Sequence, residues 1–99
     1  MKRKYDKKHK IWAAEVKEIF NNQCVVCGRT DMLNAHHLIP WEIEQFRHDK
    51  NNGIALCPKH HTKYGTGLSP HSHGSILFAL FLKKHYPRIL EWVEENYEI

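Results

Sequence analysis

Two short motifs, Cys24-Val-Val-Cys27 and Cys57-Pro-Lys-His60, constrain this chain more than any other feature. In the first, the two-residue spacer lets one tight turn bring both thiolates onto a single ion, and Gly28 allows the backbone to approach the sulfurs closely. A lone CxxC fits a metal site, a redox pair or chance. A second half of matching spacing points to chelation, with His60 as the fourth ligand. The reading is a structural Zn²⁺ held by Cys24, Cys27, Cys57 and His60. The alternatives are a buried cluster of free cysteines and a redox pair, the latter weakened by the lack of a βαβ pattern around the thiols. A chain of 99 residues needs such a staple, because so small a domain buries little surface. Its three cysteines cannot all pair internally, so reduced thiols are expected.

The chain reads as a single domain with four parts. Residues 1–10 form a basic arm. Trp12, Val16, Ile19 and Phe20 recur at helical spacing, so the stretch from about Lys7 to Asn21, with its body at 11–22, is an amphipathic helix that Asp6 can cap and Asn21-Asn22 can end. The segment 23–66 has no helical period. It holds every cysteine and, with the loop that follows, every histidine except His9 and His85. Short strands are expected at Asn34 to Ile39 and Gly53 to Leu56, with a short helix at Glu42 to His48 between them. After the Gly/Ser/Pro-rich loop from Gly65 to Ser75, residues 75–97 read as C-terminal helices, the last starting at Pro87 with Ile89, Val93 and Tyr97 on one stripe. Both flanking helical regions are read as scaffold.

A net charge of +4 and a pI near 9.0 favour an anionic partner. The positive charge clusters at Lys2, Arg3, Lys4, Lys7, Lys8 and Lys10, a run equally typical of a solvated tail. No segment reads as a secretion signal or a membrane span, so a cytoplasmic protein without membrane contact is expected. Nine histidines in so short a chain, several beside cysteines, indicate metal chemistry.

The paired histidines carry the chemistry. In a strand, His36 and His37 point to opposite faces unless the strand bends, which lets one ring bind a metal while the other stays available as a base. On a helix, His60 and His61 diverge by about 100°, so His60 can face the zinc while His61 faces away. Taken singly, each of these is more often an ordinary hydrogen-bonded histidine, and Asn52, beside Asn51 and Gly53, is more often a turn residue.

In the order CVVCG, AHHLIP and NNGIALCPKHH, the segment from Gln23 to Tyr64 resembles the HNH endonucleases, a family of ββα-metal nucleases. The resemblance implies a small α+β fold, a ββα-metal (His-Me finger) core with a structural zinc, flanked by an N-terminal helix and C-terminal helices. It implies metal-dependent hydrolysis of DNA phosphodiester bonds leaving 5′-phosphate and 3′-hydroxyl ends. By position, His36 and His61 would bind a catalytic divalent cation such as Mg²⁺, Mn²⁺ or Ni²⁺. His37 would be the general base and Asn52 would orient it. An imidazole, titrating near 6.5, suits removal of a proton from water at neutral pH. One cation held by neutral ligands suits the charge that gathers on phosphate oxygens. Many relatives use four cysteines for zinc, so the division of His60 and His61 between two ions stays open, as does the choice of Asn52 over Asn51. Position 65, where some relatives carry a third protein ligand, is Gly65 here, and His71 and His73 are read as solvated loop residues.

DNA contacts are expected mainly at phosphates, through the N-terminal arm, Arg47, Lys59 and Lys63, with low sequence specificity. Two other classes of function compete with this: a zinc-stabilised DNA-binding module without catalysis, and a subunit whose apolar C-terminal helices dock into a phage packaging or restriction assembly. The resemblance to small free-standing proteins of phages and mobile elements suggests that context. Pairing of two copies to cut both strands is left open.

Overall fold

Asp6 opens the first helix, α1 (Lys7–Ile19), with extended backbone and a carboxylate that accepts the His9 amide at 2.9 Å. That bond satisfies an amide left unpaired at the helix start and holds the Asp6 carboxyl below its ordinary range. The helix ends where Asn21 and Asn22 adopt φ of 56° and 54°, the left-handed region that asparagine tolerates. The computed structural model to which these elements belong describes residues 6–61, 70 and 75–96.

Two strands, β1 (Asn34–His36) and β2 (Ile54–Leu56), pair antiparallel with Asn34 opposite Leu56, Ala35 opposite Ala55 and His36 opposite Ile54. Trp12 and Val16 of α1 are fully buried, and the helix packs on both strands. Ile19, expected on the same stripe, is 50% exposed. Thirteen helical residues reach about 20 Å, whereas three-residue strands cover about 10 Å, so the last turn of α1 overruns the sheet.

β1 stops three residues short of the expected Ile39. The Ile39 amide and carbonyl are bonded to the Asn52 side chain at 2.6 and 3.0 Å, which takes them out of the ladder. The expected helix at Glu42 to His48 is reduced to one 3-10 turn, Glu44–Phe46. The Phe46 carbonyl takes the Asp49 amide at 3.2 Å as well as the Asn52 side-chain amide, and that of Arg47 meets the His37 ring, so the turn does not lengthen into an α-helix.

A single helical turn, α2 (Pro58–His61), follows β2, and the Cys57 carbonyl accepts the amides of both His60 and His61 at 3.1 and 2.9 Å. Two further helices, α3 (Ser75–His85) and α4 (Pro87–Asn96), pack against each other. Phe78 and Leu82 of α3 join Cys24, Val25, Ile54, Leu56 and Cys57 in one buried cluster. The Tyr86 hydroxyl, between the two helices, donates to the Val25 carbonyl at 3.3 Å. The C-terminal helices therefore brace the cysteine turn, in keeping with their scaffold reading. Ile89 and Val93 are half-buried, while Tyr97 and most of the Gly65 to Ser75 loop lie outside the described residues. The result is a small α+β fold of the ββα-metal kind. Among the described residues no helix is long and apolar enough to cross a membrane.

At Gly53, α1 comes so close that an added Cβ would sit 2.7 Å from Val16 Cγ2 and 2.9 Å from Trp12 Cζ2. Gly53→Ala is expected to cost about 1–3 kcal/mol by overpacking. A urea titration should show a lower midpoint with unchanged slope, and a smaller loss when Val16 is already alanine.

Candidate active site and metal centre

The cysteine turn is built by backbone bonds. The Cys24 amide donates to the Arg29 carbonyl at 2.8 Å, the Gly28 amide donates to the Cys24 carbonyl at 2.9 Å, and Gly28 takes φ of 78°. The Val25 amide then donates to the Ala55 carbonyl at 3.0 Å, which fixes the turn against β2. These contacts bring the ligand atoms of Cys24, Cys27, Cys57 and His60 within 4.8 Å of one another. The Cys27 and Cys57 sulfurs are 3.7 Å apart. His60 Nδ1 lies 3.4 Å from the Cys57 sulfur and 3.9 Å from that of Cys24. Tetrahedral zinc with ordinary bond lengths separates two sulfurs by about 3.8 Å and a sulfur from a nitrogen by about 3.6 Å. The four donors thus fit one zinc ion.

Their protonation is also suited to a metal. Burial raises the Cys24 thiol, but hydrogen bonding from the Cys57, Cys27 and Val26 amides and from Cys27 outweighs it, and the net shift is downward. Burial pushes the Cys57 thiol up, so an ion is needed to hold that thiolate. Burial, aided by the charge of Lys59, lowers His60 and favours the neutral imidazole that metals bind.

On the other side of α2, His61 Nε2 comes within 3.3 Å of His36 Nδ1, the rings meeting edge to face. Two imidazole nitrogens at this distance share either a proton or a cation. Ligands about 2.1 Å from one ion would be about 2.9–3.4 Å apart, so the pair fits a cation. Both rings line a cavity of about 580 Å³, together with His9, His37, Lys17 and Trp41. His36 ends β1, so His37 lies beyond the strand and the two neighbouring rings border the same cavity instead of opposite faces.

His37 is held by groups that sequence reasoning did not find. Its Nε2 donates to the Arg47 carbonyl at 2.9 Å, and its ring stacks on Trp12 with centroids 3.8 Å apart and planes at 9°. Trp12 is itself fixed by an indole N–H bond to the Asp49 carbonyl at 2.8 Å. The expected bond from Asn52 to the His37 ring is replaced by a different arrangement. Asn52, with no exposed surface, accepts the Ile39 amide and donates to the Ile39 and Phe46 carbonyls, each at 3.0 Å. Both of its N–H donors are used in tying together the two ends of the loop that carries His37 and Arg47. Trp12 was legible only as core, and a backbone carbonyl leaves no mark in a sequence. His9, whose ring centroid is 6.1 Å from that of His37, was also missed, although its spacing from Trp12 places both on neighbouring turns.

Of the expected DNA-contacting residues, Lys59 is exposed. Arg47 is half-buried, with its Nε donating to the Trp41 carbonyl at 2.8 Å and its guanidinium 4.0 Å above the Trp41 ring. Lys63, Gly65, His71 and His73 lie outside the described residues, as do positions 1–5 of the basic arm.

The HNH endonuclease family matches this chain over residues 24–69. Anaredoxin from Nostoc sp. (strain PCC 7120 / SAG 25.82 / UTEX 2576) is 40% identical over 67 residues, a span that covers 67% of this chain and 84% of that protein. No solved structure gives a significant match.

Two stability predictions follow from this geometry. Asn52→Ala leaves the buried Ile39 amide and carbonyl without their partner, while the Phe46 carbonyl keeps the Asp49 amide, and is expected to cost at least about 2 kcal/mol, at about 1–3 kcal/mol for each group left unpaired, as measured by urea unfolding. Cys57→Ser, or a strong chelator on the unaltered chain, should lower the melting midpoint by at least about 10 °C by circular dichroism, because the ion's binding energy is part of the folding energy.

Proposed function

Because this chain belongs to the HNH endonuclease family, we propose that it hydrolyses DNA phosphodiester bonds, with His37 as general base and one divalent cation held by His36 and His61. The observation that carries this reading is the convergence of His36 Nδ1 and His61 Nε2, 3.3 Å apart, in the cavity that His37 also lines. A Mg²⁺, Mn²⁺ or Ni²⁺ ion held by His36 and His61 would supply positive charge to offset the charge that gathers on phosphate oxygens, undiminished by its two neutral ligands.

The chain's own residues do the rest. The Arg47 carbonyl can only accept, so it fixes the proton on His37 Nε2 and leaves the lone pair on Nδ1. Nδ1 takes a proton as water attacks phosphorus. The bond from phosphorus to the 3′ oxygen breaks, that oxygen gains a proton from solvent, and the ends left are 5′-phosphate and 3′-hydroxyl. Stacking on Trp12 restrains rotation of the base. Asn52 acts as a positioning residue, holding the Ile39 and Phe46 backbone on either side of the His37–Arg47 bond. A structural zinc on Cys24, Cys27, Cys57 and His60 sets the turn from which His61 extends. Lys59, Lys63 and the outer edge of Arg47 meet phosphates, with a steep salt dependence.

Purified protein should nick or linearise a plasmid when Mg²⁺, Mn²⁺ or Ni²⁺ is added, and elemental analysis should find about one zinc per chain before addition. His37→Ala should slow cleavage by about 10²–10⁴ while its circular dichroism spectrum shows the chain still folded at the assay temperature. Full activity in that variant would overturn the assignment of the base. Tight DNA binding without cleavage under any divalent ion would instead favour a zinc-stabilised binding module.

A further inference from the structure

The cavity at His36, His37 and His61 does not end at the catalytic residues. It continues along α1 into a second hollow of about 520 Å³, and the two share His9, Ala13 and Lys17. These three residues are four apart in sequence, so they form one line along the helix. Lys10 and Ala14, which also border the second hollow, lie beside that line. At about 100° per residue Glu15 falls on the far side of α1, whereas Glu18, four residues after Ala14, stands at the edge of this flank but does not border either hollow. The second hollow thus has His9, Lys10 and Lys17 as its charged or titratable groups, with the methyl side chains of Ala13 and Ala14 between them and Asn22 at its end. Alanines keep the floor low enough for a polymer backbone to lie close to the helix. Across the first cavity the facing wall contributes one carboxylate, Glu42.

We propose that this flank of α1 is the wall along which the DNA strand leaves the scissile phosphate, with Lys17 bonded to a phosphate further along that strand. The proposal rests on the nuclease reading, since it takes the scissile phosphate to lie beside His37. His9 begins the wall, 6.1 Å from His37 between ring centroids. Lys17 stands eight residues on, a rise of about 12 Å. A DNA strand carries one phosphate per about 3.4 Å of helix axis and its winding backbone sets them further apart than that, so Lys17 meets a phosphate beyond the scissile one. The helix read from sequence as scaffold acquires a second role, as part of the substrate groove.

The test is binding of a short fluorescein-labelled DNA duplex by the full chain, followed by anisotropy across a salt series without added divalent ion. Each phosphate contact adds about 0.9 to the slope of log K against log salt. Lys17→Gln should reduce the slope by about that amount, and Lys17→Arg should keep it. Ala13→Leu should weaken binding at every salt concentration with the slope unchanged, because it fills the trough without altering charge. Lys84→Gln, on α3 away from α1, is the charge-matched control. A slope loss in Lys17→Gln no greater than in Lys84→Gln would overturn the proposal, as would wild-type binding by folded Ala13→Leu. If the unaltered chain cleaves plasmid while these variants bind normally, the groove fails and the nuclease reading stands. An α1-dependent slope in a chain that never cleaves leaves the groove standing and removes the nuclease.

Discussion

Neighbouring residues leave an α-helix about 100° apart, and the single turn of α2 uses that angle at His60 and His61. One ring turns back to the thiols of Cys24 and Cys57, the other forward to His36. Both amides hang from the same Cys57 carbonyl. An ion that gathers the cysteines therefore also aims the histidine across the turn, so structural and chemical centres cannot be set independently. In a helix too short to hold its own shape, an ion bound at these four donors would replace the missing turns.

The same economy runs through residues 52–57, all of them buried. Asn52 closes the loop beside His37, Gly53 admits α1, Ile54 to Leu56 form the strand, and Cys57 turns the chain into the cluster of metal-ligand donors. Each residue meets a different partner. A shift of one position would move every one of these contacts to the wrong face, which pins the register of a sheet too small to enforce it by pairing alone.

Much of this was legible beforehand because ligand spacing is a local property. Two residues between donors suffice to propose a chelate, and the structure brings together the four donors that the spacing named. Asp6 as a cap and Pro87 as a helix start were readable for the same reason. What escaped was whatever depends on backbone atoms or on residues distant in sequence. The partner of His37 is a carbonyl ten residues away, and the ring beneath it belongs to a helix that periodicity could describe only as amphipathic. Asn52 was found as a residue of interest, but its bonds run to main-chain groups that no pattern of side chains reveals. The strand and the helix that precede it were overestimated because propensity does not register that a side chain can take backbone groups out of a ladder.

The contact between Trp12 and His37 has an optical consequence. An indole stacked at 3.8 Å on an imidazole emits differently when that ring is neutral than when it is protonated or displaced, because the cation draws on the indole π-system. The chain has three tryptophans, and Trp12 alone among them is fully buried. Its fluorescence is a native gauge of the state of the His37 ring, available without a label and without turnover.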